Sequence, residues 1–127
     1  PVFASVKQPE VERLLSDSDL LVSVHSRDIV PRKLLDLPRL GGINVHPCLY
    51  RHKGANPIDR LLQDGGTQAS VGVHRMTENV DEGEVLAEEF VDITGKQSVA
   101  EVYNELYPYY TLALLKALRV LETSGVR

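Results

Sequence analysis

The chain has 127 residues, 43% of them apolar and 25% charged, with a net charge of −4. That is a normal globular composition for one domain with a single core, here taken as residues 1–127. The acidic balance, with no basic run or aromatic-studded basic stripe, argues against a nucleic-acid partner. No apolar run approaches the roughly 20 residues needed to span a bilayer, and no leader pattern opens the chain. The one cysteine, Cys48, fits a reducing, cytoplasmic setting.

Residues 9–16 carry an early Pro and apolar positions at Val11, Leu14 and Leu15, which predicts a short helix. The run 20–24 is apolar and rich in β-branched residues, as in a buried parallel strand. Residues 26–30 then form a loop, and 31–37 a short helix closed by Pro38. Gly41 and Gly42 admit a strand at 43–46, which Pro47 stops. A helix at 57–63 ends at Asp64-Gly65-Gly66. Residues 69–76 alternate as a strand, and 84–93 form another, expected to pair with it across the Asp81 loop. Ser98-Val99-Ala100-Glu101 is a capping box. It opens a long helix with an apolar face at Val99, Val102, Tyr103, Leu106, Tyr110, Leu114, Leu118 and Leu121. Pro108 is expected to kink or split that helix near Tyr107. The pattern as a whole is α/β. It contains no G-x-G-x-x-G and no P-loop.

The chemistry concentrates at Gly42-Ile43-Asn44-Val45-His46-Pro47 and at Asn79-Val80-Asp81-Glu82-Gly83. Residues two apart on a strand share a face, so Asn44 and His46 project together. An amide donor beside an imidazole can stabilise a tetrahedral oxyanion and move one proton. A carboxylate such as Asp81 can fix the tautomer of that imidazole. Taken singly, each has a plainer reading: Asn44 as a turn cap, His46 as a hydrogen-bonded strand end, Asp81 as a turn residue. A Cys48 nucleophile needs contact with His46, which Pro47 makes improbable by breaking the strand. A metal site from His25, His46, His52 and His74 has no ligand spacing to support it.

Four blocks, Ile43-Asn44-Val45-His46-Pro47-Cys48-Leu49, Lys53-Gly54-Ala55-Asn56-Pro57, Gly72-Val73-His74 and Val80-Asp81-Glu82-Gly83-Glu84-Val85-Leu86, resemble the 10-formyltetrahydrofolate-dependent formyltransferases in order and spacing. The resemblance implies the carboxyl-terminal two-thirds of that catalytic domain, lacking the usual amino-terminal third. It implies a partial Rossmann-like fold, a mostly parallel sheet with a carboxyl-terminal hairpin and a closing helix. It further implies an enzyme that moves a formyl group from 10-formyltetrahydrofolate to a primary amine of a small acceptor, such as an amino sugar nucleotide or glycinamide ribonucleotide. Asn44, His46 and Asp81 would be catalytic. The loop from His25 to Pro31, with Arg27, Asp28, Ile29 and Val30, would form one wall of the folate site, and Glu78 to Asp81, with Asn79 and Val80, the other, largely through backbone groups. Lys53 and Gly54 would help place the amine, and His74 would be a packed, hydrogen-bonded residue.

Two departures stand out. Leu49-Tyr50-Arg51 makes the loop before Lys53 one residue shorter than usual, and Cys48 replaces a usual Ser. Without the amino-terminal third, the strand at 20–24 or a neighbour would expose an edge, to be covered by a second copy or a missing segment. Two other readings remain at this stage. One is hydrolysis of 10-formyltetrahydrofolate, and the other is a non-catalytic module that binds folate or a partner.

Overall fold

A computed structural model describes residues 5–25, 29–79 and 81–123. The elements run α1 (Pro9–Ser16), β1 (Leu21–Val24), α2 (Arg32–Leu35), β2 (Gly42–Pro47), α3 (Pro57–Gln63), β3 (Gln68–Arg75), β4 (Val85–Asp92) and α4 (Val99–Thr123). Each predicted element is present, most within one or two residues of its predicted ends. α2 is shorter than expected, at four residues. Among the described residues, no helix is long and apolar enough to cross a membrane.

The sheet order is β1-β2-β3-β4. β1 and β2 are parallel, whereas β2–β3 and β3–β4 are antiparallel. The sheet is therefore partly parallel, not mostly so. β3 begins beside the end of β2, with Val71 paired to Pro47, and runs the other way.

Alternation in β2 and β3 divides the sheet into two faces. Ile43, Val45, Ala69, Val71 and Val73 enter the main core with Val102, Leu106, Ala113, Ala117 and Leu121 of α4. Asn44, His46 and His74 lie on the opposite alternation, and the register sets Asn44 directly across from His74. A second cluster joins Val11 and Leu15 of α1 to Val30, Leu34 and Leu35. β1 is an edge strand as anticipated, with Val22 and Val24 exposed.

The capping box forms as the sequence indicates. Glu101 N–H donates to Ser98 Oγ at 3.1 Å, and Ser98 Oγ in turn donates to Glu101 Oε1 at 3.1 Å. α4 is not split at Pro108 but continues through it. Proline removes the hydrogen bond to the carbonyl four residues back. Here that residue is Asn104, on the exposed side of the helix, where water can take its place. The buried stripe of α4 also differs from the predicted one. Ala113 and Ala117 are fully buried, while Leu114 and Leu118 are only partly so. Small side chains let the helix axis approach the sheet closely, so the alanines occupy the centre of the contact.

Ala113→Leu should therefore lower stability by about 1–3 kcal/mol through overpacking. Leu115→Ala, at a position 59% exposed, should change it by less than about 0.5 kcal/mol. Urea unfolding midpoints of the two variants test this contrast.

Candidate active site

The carboxyl end of β2 delivers Asn44 and His46, and the loop after β3 delivers Asp81. Asp81 is 6% exposed and adopts a left-handed conformation, φ 55°, which Asp tolerates better than most residues. Two features aim this loop. β3 and β4 slip register between Val73 and His74, a bulge of the kind that bends a strand end. Gly83 then lies so close to β3 that a Cβ there would sit 1.7 Å from the Arg75 carbonyl oxygen. Glycine alone fits, and the close approach swings Asp81 back over the strand ends.

The Asp81 carboxylate is the hub. Oδ2 is 3.0 Å from His46 Nε2 and accepts the Gly54 N–H at 2.6 Å. Oδ1 is 3.2 Å from His74 Nε2. His46 Nδ1 faces the Pro47 carbonyl at 2.6 Å, and its Nε2 also lies 3.0 Å from the Gly54 carbonyl. Both ring nitrogens of His46 thus meet acceptors only. His74 Nδ1 meets the Arg75 carbonyl at 2.8 Å, which assigns its Nδ1 a proton. Its Nε2 then faces Asp81 Oδ1 on one side and Asn44 Nδ2, at 3.3 Å, on the other.

One nitrogen cannot serve a donor and an acceptor together. Asn44 Oδ1 is meanwhile buried without a partner. With His74 protonated on both nitrogens, turning the amide by half a revolution removes the conflict: Asn44 Oδ1 and Asp81 Oδ1 share the Nε2–H, and Nδ2 becomes the unpaired atom. In either orientation one polar atom of Asn44 is left over. A buried polar atom without a partner inside a dense network marks where a ligand atom belongs.

A cleft of about 780 Å³ opens over these groups, lined by His25, Asn44, His46, Gly54, Asp59, Asp81, Val99 and Tyr103 among others. The described lining carries no Lys or Arg. Gly54 reaches the site through its backbone, while Lys53 is exposed and outside the lining. Of the expected folate walls, Ile29 is 64% exposed, whereas the Val30 side chain is packed in the second cluster at 4%. Glu78 lies 3.9 Å from Arg32, at the start of α2. Asn79 exchanges backbone hydrogen bonds with Thr77 Oγ1 at 2.9 and 3.1 Å. Arg27, Asp28 and Val80 lie outside the described residues.

Sequence reasoning assigned His74 a packed role and missed that it joins Asn44 to Asp81. The signal was available in the strand register, since alternation places it beside Asn44. Among the described residues no group of three or more His, Cys, Asp or Glu could hold a metal ion. Cys48 is fully buried, and burial pushes its thiol up, the reverse of an activated nucleophile.

Folded protein at neutral pH should accordingly react with a thiol reagent only slowly, and rapidly in urea, as a colorimetric thiol assay would record. Gly83→Ala should cost about 1–3 kcal/mol by forcing the loop off Arg75. It should also shift the imidazole NMR resonances of both His46 and His74, which share Asp81.

These residues match known proteins. The family model for formyl transferase covers residues 5–118. A methionyl-tRNA formyltransferase from Natranaerobius thermophilus is 36% identical over 117 residues, 90% of this chain and 37% of its own length. The chain thus spans well under half of that relative. A sugar N-formyltransferase from Shewanella sp. FDAARGOS_354 superposes with a TM-score of 0.76 at 25% identity, over 96% of this chain and 49% of that one. A formyltetrahydrofolate deformylase from Pseudomonas syringae pv. tomato superposes with a TM-score of 0.79 at 24% identity, over 90% of this chain and 40% of that one. On the family match, this chain belongs to the formyl transferases.

Proposed function

We propose that the cleft transfers a formyl group from 10-formyltetrahydrofolate to a primary amine, with Asn44, His46 and Asp81 as the reacting machinery and residues 1–127 acting as one catalytic domain. The observation that carries this reading is the leftover polar atom of Asn44, buried beside two histidines that share one carboxylate.

Attack of the amine on the formyl carbon makes a tetrahedral centre with an oxyanion. The Asn44 amide N–H donates to that oxygen. In water-poor surroundings such a donor is worth far more than in bulk solvent. The amine nitrogen gives up a proton as the new C–N bond forms, and the folate nitrogen takes one as its own C–N bond breaks. Asp81 and His46, 3.0 Å apart, form the pair through which that proton passes. The Gly54 and Pro47 carbonyls keep the His46 ring in plane for it. His74 is a positioning residue, holding Asp81 and the Asn44 amide in register. The two folate walls are the loops at 27–30 and 78–80, where Ile29, Glu78 and Asn79 are exposed among the described residues. Lys53 is then a residue of the outer mouth on the amine side, and Gly54 a backbone anchor within the site. We place the reaction in the cytoplasm, the setting that a single buried thiol fits.

The acceptor is a primary amine whose reactive end enters a cleft bordered by Asp59 and Asp81 and free of described cations. An amine that carries positive charge before reaction suits those carboxylates, and phosphate groups would stay outside. A small amino sugar meets these terms. The aminoacyl end of a charged tRNA does too, and the 36% identity to a methionyl-tRNA formyltransferase favours that second reading.

Purified protein mixed with 10-formyltetrahydrofolate should release tetrahydrofolate only when a primary amine is present. An amino sugar nucleotide, glycinamide ribonucleotide and methionyl-tRNA are the first acceptors to try. Asn44→Ala should lower kcat by about 10²–10³-fold, and Asp81→Asn by about 10²–10⁴-fold, with folding intact by circular dichroism. Release of formate with no amine present would point to hydrolysis instead. Folate binding without any turnover would point to a binding module.

A further inference from the structure

His25 closes β1 with a left-handed backbone, φ 54°. The ring lies among the tyrosines of α4, 5.8 Å from Tyr103 and 5.3 Å from Tyr110 between centroids, and lines the same cleft as Asn44, His46 and Asp81. Its Nε2 is hydrogen-bonded to Tyr110 Oη. Burial pushes the Tyr110 phenol well above its usual range, so that oxygen keeps its proton and is able to donate to Nε2. Burial, and then the nearby charge of His46, hold the His25 imidazole below its usual range. A neutral ring that accepts at Nε2 must carry its proton on Nδ1. No described residue takes that proton up.

Among the described residues, the cleft that holds this donor is lined by Asp59, Val99 and Tyr103 and by none of Ile29, Val30, Glu78 or Asn79, which favours the acceptor side of the site. We propose that His25 determines acceptor specificity: its Nδ1–H, fixed by Tyr110, donates to an uncharged hydroxyl or carbonyl oxygen borne close to the reacting amine. This inference rests on reading the Asn44–His46–Asp81 cleft as a formyl-transfer site. The chemistry it selects is an amine with an oxygen on a neighbouring carbon. Two sources share that feature, an amino sugar and an aminoacyl ester.

The test compares glucosamine and methionine methyl ester, as probes of the two sources, with cyclohexylamine, which lacks the oxygen. His25→Ala should raise KM for whichever oxygen-bearing probe is the better substrate by about threefold to tenfold, the worth of one hydrogen bond. It should leave kcat, the KM for 10-formyltetrahydrofolate and the KM for cyclohexylamine unchanged. His25→Asn should restore affinity, because its amide N–H reaches where Nδ1–H did and Asn tolerates a positive φ. Tyr110→Phe, which keeps the ring packing but releases the tautomer, should fall between the two. If His25→Ala weakens all three amines equally, or none, the inference is overturned while the formyl-transfer reading stands. If the wild-type protein transfers to no amine, that reading falls. The inference is then decided by binding: titration of the oxygen-bearing probes must shift the His25 ring resonances in NMR spectra where cyclohexylamine does not, and equal shifts would overturn it.

Discussion

The Asp81 carboxylate carries more of this structure than any other group. Buried at the meeting point of three segments, it takes the Gly54 N–H and touches two imidazoles from two strands. A carboxylate taken out of water is costly unless it is paired and hydrogen-bonded. Here each of its oxygens has an imidazole partner, and one has a backbone N–H as well. The same contacts that relieve its burial also fix the relative positions of β2, β3 and the loop at 54. The site and the packing beneath it are therefore one construction.

Backbone arrangements far less conspicuous than the charged groups make that hub possible. The Val73/His74 register slip and the close pass of Gly83 over Arg75, beside Ile43 to Val45, and the left-handed turns at Cys48 and Asp81 together flank Asn44 and His46. Gly72, across from His46, leaves room for Leu49, since a Cβ there would stand 2.5 Å from the Leu49 Cβ. Departures from regular geometry gathered in one place are what a shaped site demands, because regular strands would aim these side chains apart.

Much of this was legible in the residues. Alternation in β2 placed Asn44 and His46 on one face, and Ser98 with Glu101 marked the start of α4 because capping is a local interaction. The long-range terms were less visible. Nothing local says to which end of β2 the connection at 48–67 returns the chain, so the direction of β3 escaped a reading by motif. Periodicity favoured Leu114 and Leu118 over Ala113 and Ala117 because hydrophobicity scales reward size, whereas close helix–sheet contact rewards its absence. The part of His74 in the network depends on a cross-strand register that only pairing reveals. His25 drew attention as the first residue of the folate-facing loop and as one of four histidines, but not for its partner Tyr110, which lies 85 residues away.

Gly54 enters the site through its N–H and its carbonyl alone. Such contacts are indifferent to the side chains on either side of it. The exposed side chains of Arg51, Lys53 and Ala55 are thereby free to change in size and charge without disturbing the carboxylate or the imidazole. On the proposed reading, such a scaffold separates the making of the bond from the choice of what is bonded. The outer mouth and the donor at His25 are then open to exchange for a new acceptor, provided that the glycine stays.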